Sequence, residues 1–281
     1  MTLDEIRRSF AEEVRAVAHL DSAALVDAFA RVPRELFLGP GPWNIVRPLD
    51  RQQPYRPTVD SDVRHIYHDV AVALDPARQL NNGQPSALAI WMQAAGLAPG
   101  EAVLHVGCGV GYYTAIMAEL VGPTGRVTAY EIDPELAARA RERLAAWPQV
   151  VVETGDGGRP TGTFDAIFVN AGATNVLPGW SAALRPGGRL VVPLTVHMPS
   201  YPQGVGIMMR FDRRDDERWP ARVISQVGIF DCANARDPAE EAELMALVKP
   251  GAIEQIRAVA REPHERGEAC LAHLPGFCLQ S

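Results

Sequence analysis

Three glycines at alternate positions in Leu104-His105-Val106-Gly107-Cys108-Gly109-Val110-Gly111-Tyr112-Tyr113-Thr114 mark an apolar run turning tightly into helical spacing against a bound group. Glycine removes side chains where a chain must bend sharply or a ligand must approach, and the helix start behind it offers unpaired N–H groups. Glu131 lies twenty residues beyond Gly111, at the end of a second apolar run and followed by Ile132. A carboxylate there can accept hydrogen bonds from both hydroxyls of a ribose. A third run ends in Thr154-Gly155-Asp156-Gly157, where Asp156 suits an adenine amino group, and a fourth ends at Asn170-Ala171-Gly172. The chemistry these residues suggest is the binding of a nucleoside-containing cofactor. A nicotinamide dinucleotide remains an alternative, but its fingerprint requires Gly-x-Gly-x-x-Gly, and here the spacing is Gly-x-Gly-x-Gly.

The elements that must hold these residues follow from periodicity. Apolar strands are expected at 102–106, 126–132, 150–154, 164–171 and 188–194, separated by helical stretches, one of them opened by Asp133-Pro134. Such alternation implies right-handed crossovers and a doubly wound, mostly parallel α/β sheet. Pro85 suits the first turn of a preceding helix that stops at Gly96. GVGIMMRFDR and ARVISQVGIFD, flanking a charged turn, read as an antiparallel hairpin that closes the sheet. Upstream, Leu3, Ile6, Phe10, Val14 and Val17 form a helical stripe behind a Thr2/Glu5 capping box, and a second helix covers 22–31. Pro33–Pro57 reads as a long ordered loop, with a short strand around Ile66–Ala73 and helix at about 238–261. The expected division is an N-terminal helical and loop extension over 1–84, a core over 85–235 and a C-terminal helical extension over 236–281.

The chain has 281 residues, 47% of them hydrophobic, enough to bury a substantial core. Its 27 basic and 34 acidic residues give a formal charge of −7 without a basic block, which argues against a nucleic-acid partner. No apolar run reaches membrane-spanning length, so neither secretion nor membrane insertion is expected. Cys108, Cys232, Cys270 and Cys278 form no CxxC pair and no Cys/His cluster at metal-ligand spacing. They read as reduced thiols of a cytoplasmic protein, and no metal is expected.

The ordered set HVGCGVG, YEID, TGDG, FDAIFVNAG and LRPGGRLVVPL resembles the successive motifs of class I S-adenosylmethionine-dependent methyltransferases. That resemblance implies a Rossmann-like sheet and S-adenosyl-L-methionine as methyl donor, leaving S-adenosyl-L-homocysteine. Gly107, Cys108, Gly109, Gly111 and Tyr112 would then lie against its methionine part, Glu131 and Ile132 at the ribose, and Asp156 and Gly157 at the adenine, with Asn170 closing the site. His105 stands where the class usually has an acidic residue orienting the cofactor's amino-acid end, and is expected to contact the cofactor or to be buried and satisfied by backbone.

Within the class, Val32-Pro33-Arg34-Glu35-Leu36-Phe37, Tyr67-His68-Asp69 and GYYTAIMAELVG are similar to motifs of the protein-L-isoaspartate O-methyltransferase family. Leu80-Asn81-Asn82-Gly83-Gln84-Pro85 falls where that family has Thr-Ile-Ser-Gln-Pro, so Gly83 replaces the family's active-site serine. Asn82, Gly83, Gln84 and Asn170 are the expected positioning residues for the acceptor. The resemblance implies an O-methyltransferase that esterifies a carboxylate of a peptide, protein or small molecule. An amine or hydroxyl acceptor, with His65, His68 or Asp69 as base, and a cofactor-binding protein without catalysis are the alternatives.

Overall fold

The computed structural model describes residues 1–47, 54–199, 201–249, 251–261 and 265–281. The N-terminal part contains α1 (Leu3–Ala18), α2 (Ala23–Arg31), α3 (Arg34–Leu38), β1 (Asn44–Val46), β2 (Tyr55–Pro57), β3 (Ala73–Asp75) and β4 (Leu80–Asn81). The alternating part follows as α4 (Pro85–Ala95), β5 (Ala102–Val106), α5 (Tyr112–Val121), β6 (Arg126–Glu131), α6 (Pro134–Arg143), β7 (Val150–Thr154), β8 (Phe164–Val169), α7 (Pro178–Ala183) and β9 (Leu184–Val196). It is completed by β10 (Gly204–Asp212), β11 (Arg218–Ile229), α8 (Pro238–Leu244), β12 (Ala258–Arg261), β13 (Cys270–Leu274) and β14 (Phe277–Gln280).

One ten-stranded sheet runs in the order β13-β14-β12-β11-β10-β9-β8-β5-β6-β7. β7, β6, β5, β8 and β9 are parallel, and β10 and β11 pair antiparallel at their flank, as the sequence pattern implies. Chain order reverses between β5 and β8, so the crevice beyond their carboxyl ends is the topological switch point where such sheets bind ligands. Side chains alternate across the sheet: Val103, Phe168 and Val191 pack on the side of α1, α2, α4 and α5, and Leu104, Ile167 and Leu190 on the other.

Local chemistry explains the helix ends. Thr2 and Glu5 form the expected capping box, Asp133 caps α6, and Gly96 ends α4 in the left-handed conformation. In α1 the buried residues are Phe10, Ala11, Val14 and Ala18, whereas Leu3 and Val17 of the anticipated stripe are exposed. The stripe turns because α1 docks through the small residues Ala11 and Ala18.

Three expectations are corrected. The stretch 33–57 holds α3 and the β1–β2 hairpin, although residues 48–53 lie outside the described ones. Residues 63–66 form a 3₁₀ turn, and strand structure begins only at Ala73. Helix after Pro238 stops at Leu244, and Ala258–Arg261, Cys270–Leu274 and Phe277–Gln280 are strands. The Ala- and Glu-rich composition favours helix locally, but β12 gains a partner on β11 and β14 a partner on β12, and pairing overrides propensity. The tail therefore extends the main sheet.

Candidate active site

A cleft of ≈ 570 Å³ opens at the switch point. Its floor is the glycine turn. Gly107, Gly109 and Gly111 all have positive φ, and a Cβ on Gly111 would lie 2.6 Å from Leu144 Cδ1. Gly157 is equally closed to a side chain, since its Cβ would lie 2.7 Å from Val106 Cγ1. The turn thus brings bare backbone to the cleft.

Glu131 is buried at the end of β6, accepting from the Gly109 N–H at 2.7 Å through Oε2 and from the Asp133 N–H at 3.0 Å through Oε1. Each oxygen keeps a further lone pair for a ligand hydroxyl. Beside it Ile132 is 48% exposed, an apolar platform of the kind that a flat base or sugar covers. Asp156 accepts from the Gly158 N–H at 2.8 Å and from Asn234 Nδ2 at 3.2 Å. Trp180 donates from Nε1 to the Gly157 carbonyl at 2.8 Å, fixing the loop from behind. Among the described residues, the charged ones that line it are Glu131, Asp133, Asp156 and Asp231 against Arg78, an acidic balance that suits a cationic ligand.

The opposite wall is the loop before α4. Asn82 is buried, and its backbone N–H donates to the Val72 carbonyl at 2.9 Å while its Oδ1 accepts from the Val72 N–H at 2.8 Å. Among the described residues its Nδ2 has no hydrogen-bond partner. Gly83 has φ +76°, and a Cβ there would meet Leu88 Cδ2 at 2.8 Å; Tyr113 donates its hydroxyl to the Gly83 carbonyl at 3.3 Å. Asn81 Oδ1 accepts from the Gly83 N–H at 2.9 Å, closing the turn.

The motifs upstream explain why this loop sits still. Arg34 is fully buried and donates to the carbonyls of Ile66 at 2.9 Å, His68 at 2.9 Å and Val70 at 2.6 Å. Its guanidinium also lies over the rings of Phe10 and Tyr112. Tyr67 accepts from the Arg34 N–H at 3.0 Å and donates to Glu35. Asp69, held in place by these contacts, accepts from Gln84 Nε2 at 2.8 Å, from the Ser86 N–H at 2.7 Å and from Ser86 Oγ at 2.7 Å. Because Gln84 gives α4 no side-chain cap, Asp69 supplies the carboxylate at that helix start from across the chain.

Asn82, Gly83, Gln84, Gly107, Cys108, Gly109, Tyr112, Glu131, Ile132, Asp156, Gly157 and Asn170 all line the cleft. Gly111 shapes the turn beneath it. His105 does not line it. The imidazole is completely buried under α5, with Nδ1 2.9 Å from Thr114 Oγ1 and the ring edge-on to Phe168, and burial drives its pKa down to about 3. It is neutral and packed away from the cleft, which corrects the expectation of a cofactor contact. Burial also raises the Cys108 thiol far above its ordinary range, so Cys108 is a filler between glycines. His65 pairs with Asp60 and His68 with Glu13, both outside the cleft. Sequence reasoning missed Leu74, Gln226, Val227 and the run Gly228–Ala233, which the return of β11 brings to the mouth.

The switch-point cleft, the glycine turn and the carboxylates ending β6 and following β7 define a class I methyltransferase that uses S-adenosyl-L-methionine, and the residues present fit that cofactor. Comparison with known proteins narrows the class. The pattern of the protein-L-isoaspartate(D-aspartate) O-methyltransferase family, PCMT, matches residues 7–230. The chain is 34% identical over 198 residues to protein-L-isoaspartate O-methyltransferase of Ignicoccus hospitalis, covering 68% of this chain and 83% of the relative. It is 33% identical over 195 residues to the enzyme of that name from Methanopyrus kandleri, covering 67% and 76%. A solved protein-L-isoaspartate O-methyltransferase superposes with TM-score 0.66 at 22% identity over 85% of this chain and 70% of the other. A structure described as that of a protein-L-isoaspartate O-methyltransferase of Plasmodium falciparum, in complex with S-adenosyl-L-homocysteine, gives 0.59 at 16% identity over 80% and 97%. This chain belongs to the protein-L-isoaspartate(D-aspartate) O-methyltransferase family. Among the described residues, no helix is long and apolar enough to cross a membrane.

Proposed function

We propose that this methyltransferase esterifies a side-chain carboxylate of a peptide or protein, with an isoaspartyl residue as its first candidate, and that Asn82 holds the acceptor. The observation that carries this reading is Asn82 Nδ2, a buried donor on the cleft wall without a partner among the described residues. Leaving such a group unsatisfied costs about 1–3 kcal/mol, which an acceptor oxygen at that place would recover. Gly83 offers no hydroxyl, and its φ and the nearness of Leu88 disfavour a side chain, so the amide of Asn82 takes over the polar role at this end of the loop.

The bound cofactor supplies an activated methyl group on a sulfonium. A carboxylate is already ionised near neutral pH, so no base has to remove a proton, and alignment is the main requirement. His65 and His68 lie outside the cleft, and the Asp69 carboxylate is engaged by Gln84 and Ser86, which favours an acceptor that needs no base. Glu131, Asp156 and the glycine turn would fix the donor, and Asn82, Gln84 and Asn170 would orient the acceptor.

The test is transfer of a labelled methyl group to matched isoaspartyl and aspartyl peptides, small carboxylic acids and amine-bearing peptides, followed by base hydrolysis. A base-labile label on the isoaspartyl peptide alone is the expected result. A base-stable label, or labelling of amines in preference to carboxylates, overturns the proposal.

A further inference from the structure

The C-terminal hairpin assembles a group of side chains that their spacing in the sequence conceals. β13 and β14 pair antiparallel with His273 opposite Cys278, which places both on one face. Residues three apart on a regular strand point to opposite faces, so Cys270 would ordinarily turn away from His273. The register shifts between Cys270 and Ala272, and the inserted residue brings Cys270 round to the same face. As a result, a ring nitrogen of His273 and the Sγ atoms of Cys270 and Cys278 all lie within 4.8 Å of one another. The expectation that the cysteines form no Cys/His cluster is thereby corrected.

We propose that Cys270, His273 and Cys278 bind one thiophilic divalent metal ion, zinc foremost, which clamps the C-terminal hairpin. With Zn–S near 2.3 Å and Zn–N near 2.0 Å, tetrahedral ligands stand about 3.4–3.8 Å apart, so the three atoms need close by only about 1–1.5 Å. Two thiolates and an imidazole select zinc over magnesium or calcium, which prefer oxygen. Cys278 is fully buried while Cys270 and His273 are partly exposed, so the group is closed on the protein side and open to a fourth ligand from solvent. The Gly267 N–H donates to Cys270 Sγ at 3.4 Å, the kind of contact that supports a thiolate ligand. None of the three lines the methyl-transfer cleft, and all lie beyond the family match that ends at residue 230.

The test uses the full chain, made metal-free with its thiols reduced, titrated with Co²⁺ and then Zn²⁺. One equivalent of cobalt should produce thiolate charge-transfer absorption and the intense ligand-field bands of a tetrahedral site, and one equivalent of zinc should bleach them and raise Tm. Cys270→Ser and His273→Ala, at partly exposed positions that tolerate substitution better than Cys278, should each weaken zinc binding at least tenfold while methyl transfer is unchanged. A reduced chain that gives no cobalt spectrum overturns the site, as does a zinc affinity equal to the parent chain's in both variants. So does a chain that takes up no metal and on oxidation loses two hydrogens by joining Cys270 to Cys278, which would make the pair a redox couple.

Discussion

Replacing Asp69 by alanine is the sharpest test of how the acceptor loop is held. Its carboxylate receives three hydrogen bonds, from Gln84 Nε2, the Ser86 N–H and Ser86 Oγ, all between 2.7 and 2.8 Å, and it stands at the start of α4. Hydrogen bonds to a charged group each contribute about 1.5–3 kcal/mol, but they share one acceptor and are not additive. Asp69 is half-buried, so solvent weakens them further. A loss of about 2 kcal/mol is therefore expected, with the buried Ser86 left partly unsatisfied. The loop carrying Asn82, Gly83 and Gln84 should then drift, and a displacement on the order of 1 Å can cost up to about a hundredfold in rate. Urea unfolding should show the lower midpoint, and kcat/KM for the acceptor should fall about tenfold or more. Calorimetry with S-adenosyl-L-homocysteine should change little, because Glu131 and the glycine turn are untouched. Asp69→Asn should fall between. An alanine variant with unchanged midpoint and unchanged kcat/KM would refute the reasoning.

Glu131→Gln should weaken S-adenosyl-L-homocysteine about 10- to 100-fold in calorimetry, since the ribose contact proposed for Glu131 would lose a charge-assisted acceptor of roughly 1.5–3 kcal/mol. Gly83→Ser, at φ +76° and 2.8 Å from Leu88 Cδ2, should lower stability by about 1–3 kcal/mol in urea and fail to raise activity on isoaspartyl peptides; a faster enzyme would contradict the assignment to Asn82. His105, with its folded pKa near 3 against an ordinary value of 6.5, stays neutral while the unfolded chain takes up a proton. Its contribution is present above about pH 6.5 and is lost as pH falls toward 3, at about 1.4 kcal/mol per pH unit. Between pH 7.5 and pH 5 the parent chain should lose about 2 kcal/mol more than His105→Gln in matched urea titrations.

The parallel core was legible because β5 and β8, buried along nearly their whole length, read as continuous apolar runs, and the proposed donor side drew notice because Gly107–Gly111, Glu131 and Asp156 fall where apolar runs end. The acceptor side was legible only as a resemblance: no periodicity announces that Arg34 will reach three carbonyls of the segment 66–70. The wall formed by Gln226–Ala233 was illegible, since its place depends on the antiparallel return of β11. His105 was ambiguous because alternation along β5 says that it faces away from Leu104 and Val106, yet the tight turn that starts two residues later made either side of the sheet plausible. The C-terminal strands were hidden by helix-favouring composition, and the Cys/His group by a bulge that only a paired strand can have.

Arg34 has a consequence for how the protein responds to salt. Its charge is neutralised by the dipoles of three backbone carbonyls inside the molecule, beyond the reach of ions whose screening acts over about 8 Å of open solvent at physiological strength. The exposed pairs Arg8–Asp27 and Arg31–Glu119 lie in that solvent and should fade as ionic strength rises. The junction that seats the acceptor loop would keep its geometry in brine, while recognition of any charged stretch of peptide at the rim would not.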